Sequence, residues 1–596
     1  ELPEKIIQAI KSDTVVKTAY NAQFERVCLS RYLKLPDGEY LNPQSWYCTA
    51  VQAAELALPL SLADVGSVLG LERQKMTEGK ELIKYFCVPC KPTKSNGNCT
   101  RNRPCHDINK WETFKKYCMR DVDVERQIAD KLKMYPISDE EHRLYVLDQI
   151  INDRGVLVDS ELAEQAVKLN SIQTAVAVEQ AYMITGLENP NSVTQLKQWL
   201  KEKGVEIESL SKKSVKSLAD ETDGDVSEML KLRLLMAKTS VKKYEAVIRS
   251  VCSDNRVHGM MRFCGANRTG RWSGNILQPQ NLPQNHLPDL TLARDIVKDG
   301  DFEMLDMMFG NVPNVLSELI RTVLIPKPNH RFIVADFSAI EARVLAWIAG
   351  EQWRIDTFKN GGDIYCASAS KMFKVPVEKH GVNGELRQKG KISELACGYG
   401  GSVGALKNMG AVEMGVQENE LQGLINDWRN ANPHIVRFWY EVGNAAMKAI
   451  KEKTTVPLGK LVFAYERGIL FIRLPSGRRL SYIKPRIGTN RFGGDSITYM
   501  GINSAKKWDR LETFGGKLTE NIVQGTARDL LANALINAAN AGYDTVFHVH
   551  DEIICEVPNG YGSVDELCKL MCIKPEWADG LPLNADGFEC EYYKKE

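Results

Sequence analysis

Val334-Ala335-Asp336-Phe337-Ser338-Ala339-Ile340-Glu341-Ala342-Arg343 is the stretch whose reading decides the fold. The apolar run Phe332 to Ala335 predicts a strand, so Asp336 falls at the strand's end, and Glu341 and Arg343 fall on the first turns of a following helix. Far downstream, Val549-His550-Asp551-Glu552 lies between the apolar runs Thr545–Val549 and Ile553–Val557, a hairpin pattern with its acids near the tip. Each motif alone has an ordinary structural reading: an aspartate that caps a helix, or a polar hairpin turn. Together they place two carboxylates on rigid strand ends, where they could converge and hold a pair of divalent metal ions for in-line phosphoryl transfer.

Between the two motifs, Arg387, Lys391, Leu395 and Tyr399 recur every four residues and are followed by Gly400-Gly401. A helix sets them along one slowly drifting stripe. Such a stripe is most often a solvated basic face. Here the leucine and tyrosine give the helix one charged end, suited to phosphates, and one end suited to stacking.

The rest of the chain sets bounds. Its 596 residues are 43% hydrophobic, enough for several cores. With 77 basic against 76 acidic residues the net charge is +1, so an electrostatic footprint for nucleic acid has to be local. Fifteen scattered cysteines favour reduced thiols over a disulfide framework. No run of eighteen apolar residues argues for a membrane span. The start, Glu1-Leu2-Pro3-Glu4-Lys5, reads like a chain that begins inside something longer.

Residues 1–134 mix short apolar runs and helical periods, closing in a charged helix around Tyr117–Tyr135. Helices dominate residues 137–255: Asn189-Pro190-Asn191-Ser192-x2-Gln195 predicts a capping-box start and Gly204 a stop. A second long helix is expected over Val226–Arg249, carrying Lys231, Arg233, Lys238, Lys242, Lys243 and Arg249. The stretch Gly265–Pro283 reads as extended and irregular, and Leu470–Leu480 as a hairpin.

The three blocks resemble motifs A, B and C of the family A DNA polymerases, especially the phage-type members. The likeness spans roughly residues 135 to 596. It implies a mixed α/β (α+β) fold shaped as a right hand: thumb at 137–255, first part of the palm at 256–344, fingers at 345–495, second part of the palm at 496–596. It implies that Asp336, Asp551 and the backbone carbonyl of Phe337 bind two Mg2+ ions, for which Mn2+ could substitute. Arg387 and Lys391 would grip the triphosphate, with Lys391 also the general acid for pyrophosphate. Glu341 would crowd a ribose 2′-hydroxyl, over a floor shared with Tyr399. Leu395 stands where cellular members carry Phe and some phage members Tyr. Thr269-Gly270-Arg271-Trp272-Ser273 with Gln280-Asn281-Leu282-Pro283 resembles the segment along the minor groove, so Arg271 and Gln280, together with Gln524 and His550, are expected to face DNA. The Asn usually found four residues before Gln524 is replaced by Glu520, with Asn521 one position off. Gly362-Asp363-Ile364-Tyr365 lacks the histidine that many cellular relatives place after the isoleucine.

More weakly, Asn21-Ala22-Gln23-Phe24-Glu25 and Tyr117-x3-Asp121 resemble the second and third motifs of a 3′–5′ exonuclease, giving a partial RNase H-like domain over 1–136. Glu25 stands for the usual Asp. The Asp-x-Glu of the first motif is not found, so Glu25, Tyr117 and Asp121 read as a vestigial site without proofreading. Cys87-x2-Cys90, Cys99 and Cys105-His106 form either a zinc loop or a loop of free thiols.

The sequence therefore predicts a template-dependent DNA polymerase acting in DNA replication or repair on primer-template DNA and dNTPs. It is expected to be a monomer in the cytoplasm of a bacterial or phage-infected cell, away from membranes; a processivity factor is left open. One rival is a single-subunit RNA polymerase, against which Glu341 speaks. Another is a catalytically dead nucleic-acid-binding subunit, against which Asp336, Asp551, Arg387 and Lys391 together speak.

Overall fold

The structure is a computed structural model that describes residues 2–71, 78–236, 241–490 and 493–595. Its centre is a four-stranded antiparallel sheet in the order Thr545–Val549, Glu552–Pro558, His330–Phe337, Ala585–Cys590. The two central strands are nearly continuous apolar runs because both faces of the sheet are covered. Period-two alternation sorts their side chains. Ile333, Ala335, Phe337, Ile553 and Cys555 join one core with Val523, Ala527 and Leu530 of the helix Gly515–Asn540. Phe332, Val334 and Ile554 join another with Leu162 and Leu169 of the helix Ser160–Thr185.

A six-stranded antiparallel meander runs from Thr455 to Thr513 and packs on the helix Pro433–Glu452. It continues across the boundary expected at residue 495. The hairpin expected at Leu470–Leu480 is its third and fourth strands, closing with Arg473 opposite Arg479.

In the helical region, Ser192 caps Val193–Glu202, accepting from the Gln195 amide, with Leu196, Trp199 and Leu200 buried; the expected reciprocal half of the capping box is replaced by the Asn189 amide donating to the Gln195 side chain. Of the helix expected over Val226–Arg249, the described residues are helical over Gly224–Met236 and Lys242–Ser250, and residues 237–240 lie outside them. Lys238 lies outside the described residues. The stretch Gly265–Pro283 is also more regular than expected. Strands Met261–Ala266 and Arg271–Gly274 form a bulged hairpin, and Gly265 is needed there because a Cβ would strike the Ser273 side chain.

The front of the chain holds a two-stranded parallel sheet, Lys17–Ala19 with Trp46–Cys48, and the long helix Ile108–Leu132. It is fastened to the helix Asp139–Arg154 by Arg26, fully buried, which binds Asp153 at 2.6 Å and the Leu41 carbonyl. The same helix reaches the other way, where Glu141 grips Arg528 of the helix Gly515–Asn540 through two hydrogen bonds of 2.6 and 2.7 Å.

Candidate active site

Asp336 is the penultimate residue of its strand, register-paired with Glu552 on one side and Asp586 on the other, so three acids lie across one face of the sheet. It is not a helix cap. The next helix, Ile340–Ala349, starts after Ala339, whose side chain makes no capping bond, and Asp336 Oδ1 is buried without a hydrogen-bond partner. Asp551 occupies the two-residue tip of the neighbouring hairpin, with His550 in the left-handed region at φ 55°. The Phe337 amide donates to the Asp551 carbonyl at 3.3 Å, which ties the tip to the Asp336 strand. Burial, then the charges of Asp551 and Glu552, push the Asp336 carboxyl up to about 8. Burial pushes Asp551 up to about 6. Two partly buried acids, close enough that Asp551 raises the proton affinity of Asp336, offer an all-oxygen donor set that fits a hard divalent cation.

The helix Leu386–Cys397 presents the basic stripe. Its back is fixed by a buried ion pair, Arg354–Glu394, to which Ser368 and the Trp428 indole also donate. Gly390 is needed where this helix meets the Tyr365 carbonyl, since a Cβ would collide with it. On the front, Lys391 and Leu395 are exposed. Arg387 is held by Asp363 through Nε at 2.9 Å and Nη2 at 2.8 Å, with its guanidinium over the Tyr365 ring. The Gly362–Tyr365 departure is thus the arginine's docking point.

Glu341 is shared: Arg271 binds one carboxylate oxygen at 2.6 Å and the Tyr399 hydroxyl donates to the other at 2.8 Å. Arg271, Gln280, His550 and Asp551 line one small pocket with Trp272. Gln524 is half-buried and donates to Glu520 at 3.4 Å, whereas Asn521 turns inward to the Tyr482 hydroxyl at 2.8 Å. Glu520, not Asn521, shares the Gln524 face.

The other expected groupings differ. Tyr117 is buried in an aromatic cluster with Phe86 and Phe114 and serves the packing of the front domain. Glu25 and Asp121 lie on helices, with burial and Glu125 pushing Glu25 up to about 7. Among the described residues the only trio of possible ligand atoms within 4.8 Å of one another is Glu55, Glu141 and Cys264; the exonuclease-like acids, the cysteines Cys87, Cys90, Cys99 and Cys105 with His106, and Asp336, Asp551 and Glu552 are all more widely spaced than that. Cys90 Sγ instead accepts from the Asn96 amide at 3.3 Å. Sequence reasoning missed Asp586, Asp363 and Lys595; register fixes the first, but the other two meet their partners only through tertiary contact.

The sheet with its acidic hairpin, the basic helix opposite and the helical arm define a right-hand nucleic-acid polymerase. The POL domain of Pol1 from M. smegmatis, solved in complex with DNA primer-template and dNTP, has this fold: TM-score 0.62 at 19% identity, covering 98% of this chain and 88% of that one. The profile of DNA polymerase family A matches residues 160–572. A DNA polymerase of Bacillus phage SP02 is 52% identical over 598 residues, covering 100% of this chain and 92% of its own. The thermostable DNA polymerase I of Thermus aquaticus is 27% identical over 265 residues, 44% of this chain and 27% of its own. The chain belongs to DNA polymerase family A, on its phage-type side, and is a metal-dependent DNA-directed DNA polymerase. Among the described residues no helix is long and apolar enough to cross a membrane.

Proposed function

We propose that this chain extends a primer 3′ end on a DNA template with dNTPs, and that Asp336 and Asp551, with the Phe337 carbonyl, hold two Mg2+ ions. The observation that carries the reading is the buried Asp336 Oδ1 without a donor, beside a second carboxylate that raises its proton affinity. When bound, such ions lower the pKa of the primer hydroxyl and neutralise the triphosphate and the leaving pyrophosphate. The protein's own groups do the rest. Arg387 exchanges Asp363 for the triphosphate, a swap of one bidentate anion for another. Lys391 binds phosphate and gives its proton to the leaving pyrophosphate. Glu341, held rigid by Arg271 and Tyr399, walls off the sugar's 2′ side, and Leu395 packs near it. Arg271, Gln280, Gln524 and His550 face the minor groove, whose acceptors carry little sequence information.

In this reading, 137–255 is the thumb, 256–344 and 496–596 the palm and 345–495 the fingers, with the meander joining the fingers to the second palm segment. Residues 1–136 are a vestigial exonuclease domain in which Glu25, Tyr117 and Asp121 support no proofreading. The enzyme works as a monomer on DNA in the cytoplasm of a bacterial or phage-infected cell. The test is primer extension on a DNA template with dNTPs and then rNTPs, with and without a chelator. Metal-dependent extension with dNTPs far above rNTPs is expected; equal use of both would return the chain to the RNA polymerase reading, and no extension to the inactive subunit.

A further inference from the structure

After its last strand, Ala585–Cys590, the chain turns back over the face of the sheet that carries Asp336. This strap is pinned. Tyr593 is fully buried, and its amide donates to the Leu324 carbonyl at 2.9 Å. Its hydroxyl donates to Glu552 at 2.7 Å and accepts from Arg321 at 3.0 Å, and its ring meets Phe547 edge-on. Two residues on, the Lys595 amide donates to Asn285 Oδ1 at 3.1 Å. These anchors deliver the Lys595 ammonium into the acid cluster, 3.6 Å from Glu552 and 3.9 Å from Asp336, with the side chain 28% exposed.

We propose that Lys595 is a built-in counter-ion that stands beside Asp336 and competes with the divalent ion that binds there. Asp336, Glu552 and the nearby Asp551 are partly or wholly withdrawn from water, and Arg271 is committed to Glu341. The Lys595 ammonium, held on this strap, offsets their repulsion in the metal-free enzyme. A divalent ion brings twice the charge and binds the carboxylate directly, so it displaces the ammonium from Asp336. Lys595 then remains with Glu552, which Tyr593 already engages. The lysine is a positioning residue: it sets how readily the site loads and keeps Glu552 occupied within the protein. This inference rests on Asp336 being a metal ligand.

The experiment is Mn2+ titration of the DNA-free enzyme followed by electron paramagnetic resonance, on the parent, Lys595→Met, Lys595→Arg and Asp336→Asn. Removing the ammonium should tighten Mn2+ binding by roughly tenfold, a modest share of the Coulomb energy at this separation because the pair is partly solvated. Lys595→Arg should bind like the parent. The metal-free thermal midpoint of Lys595→Met should fall and recover on adding Mn2+. Equal or weaker Mn2+ binding by Lys595→Met overturns the proposal, including the outcome in which only DNA affinity falls and the lysine is a phosphate contact. Parent-like binding by Asp336→Asn overturns the metal-site reading itself. Should Lys595→Met fail to fold without metal, Lys595→Gln is read by the same criteria.

Discussion

Two acidic places in this molecule invite comparison: the Asp336/Asp551 pair on the central sheet and the Glu25/Asp121 pair in the front domain. In both, one carboxylate oxygen (Glu25 Oε2, Asp336 Oδ1) is buried without a hydrogen-bond partner. They differ in what fixes the acids. Asp336 sits near the end of its strand and Asp551 at the tip of the hairpin whose second strand pairs with it, so the register of the sheet brings the two together. An arginine–glutamate–tyrosine chain stands beside them and a basic helix across the cleft. Glu25 and Asp121 lie on separate helices, and the tyrosine expected to serve them is packed into an aromatic core. Burying a carboxylate is therefore no mark of chemistry by itself; the geometry that gathers further partners around it is.

The largest expected effect separates the two places outright. Asp336→Asn or Asp551→Asn should reduce primer extension by several orders of magnitude while DNA binding, which rests on phosphate contacts elsewhere, stays nearly intact. Glu25→Gln and Asp121→Asn should leave extension unchanged, and a mismatched 3′ end should persist with Mg2+ and no nucleotides. Steady trimming that Asp121→Asn abolishes would make the front site a working one and end the contrast.

Next in size is the seam between them. Glu141→Gln leaves Arg528, fully buried, with half its counter-charge, and breaking such a pair costs about 3–5 kcal/mol. Chemical denaturation should show that loss; a change within error would mean the pair is solvated and the seam loose. Sugar selection comes third. Removing Glu341 should raise ribonucleotide use relative to deoxynucleotide use. Leu395→Tyr, by restoring a donor near the sugar, should narrow discrimination against dideoxynucleotides by about 1.5–3 kcal/mol, read from the ratio of incorporation efficiencies. An unchanged ratio would place Leu395 away from the sugar.

The smallest effect is one of pH. Burial raises Glu55 at the seam from its ordinary 4.5 to about 7. The folded chain thus keeps a proton that the unfolded chain has released, so this group's contribution to stability falls as pH rises between those values. Glu55→Gln should match the parent near pH 5 and exceed its thermal midpoint near pH 8. The opposite order would mean that the neighbouring arginines, not burial, govern the group.

How much of this was legible in the sequence follows from how local each feature is. The strand ending at Asp336, the hairpin tip at Asp551, the stripe on Leu386–Cys397 and the cap at Ser192 are written in consecutive residues, and all four stand in the structure. The Glu341–Tyr399–Arg271 contact needed the family likeness, since its members lie far apart in the chain. The bulged hairpin at Met261–Gly274 escaped because a register shift breaks the alternation that marks a strand. Lys595 and the Arg354–Glu394 pair escaped because nothing near them in sequence signals an acidic partner hundreds of residues off, or on another helix.

The helix Asp139–Arg154 works as a girder, riveted to the front domain by Asp153 and to the palm-side helix by Glu141. Such a joint acts as an evolutionary ratchet. Whatever its own chemistry, a front domain joined this way is costly to shed, because cutting it away would strand the buried Asp153 carboxylate in the part that remains. Substitutions around Glu25 and Asp121 leave that joint intact, whereas deletion breaks it unless the Arg26–Asp153 pair is replaced as well.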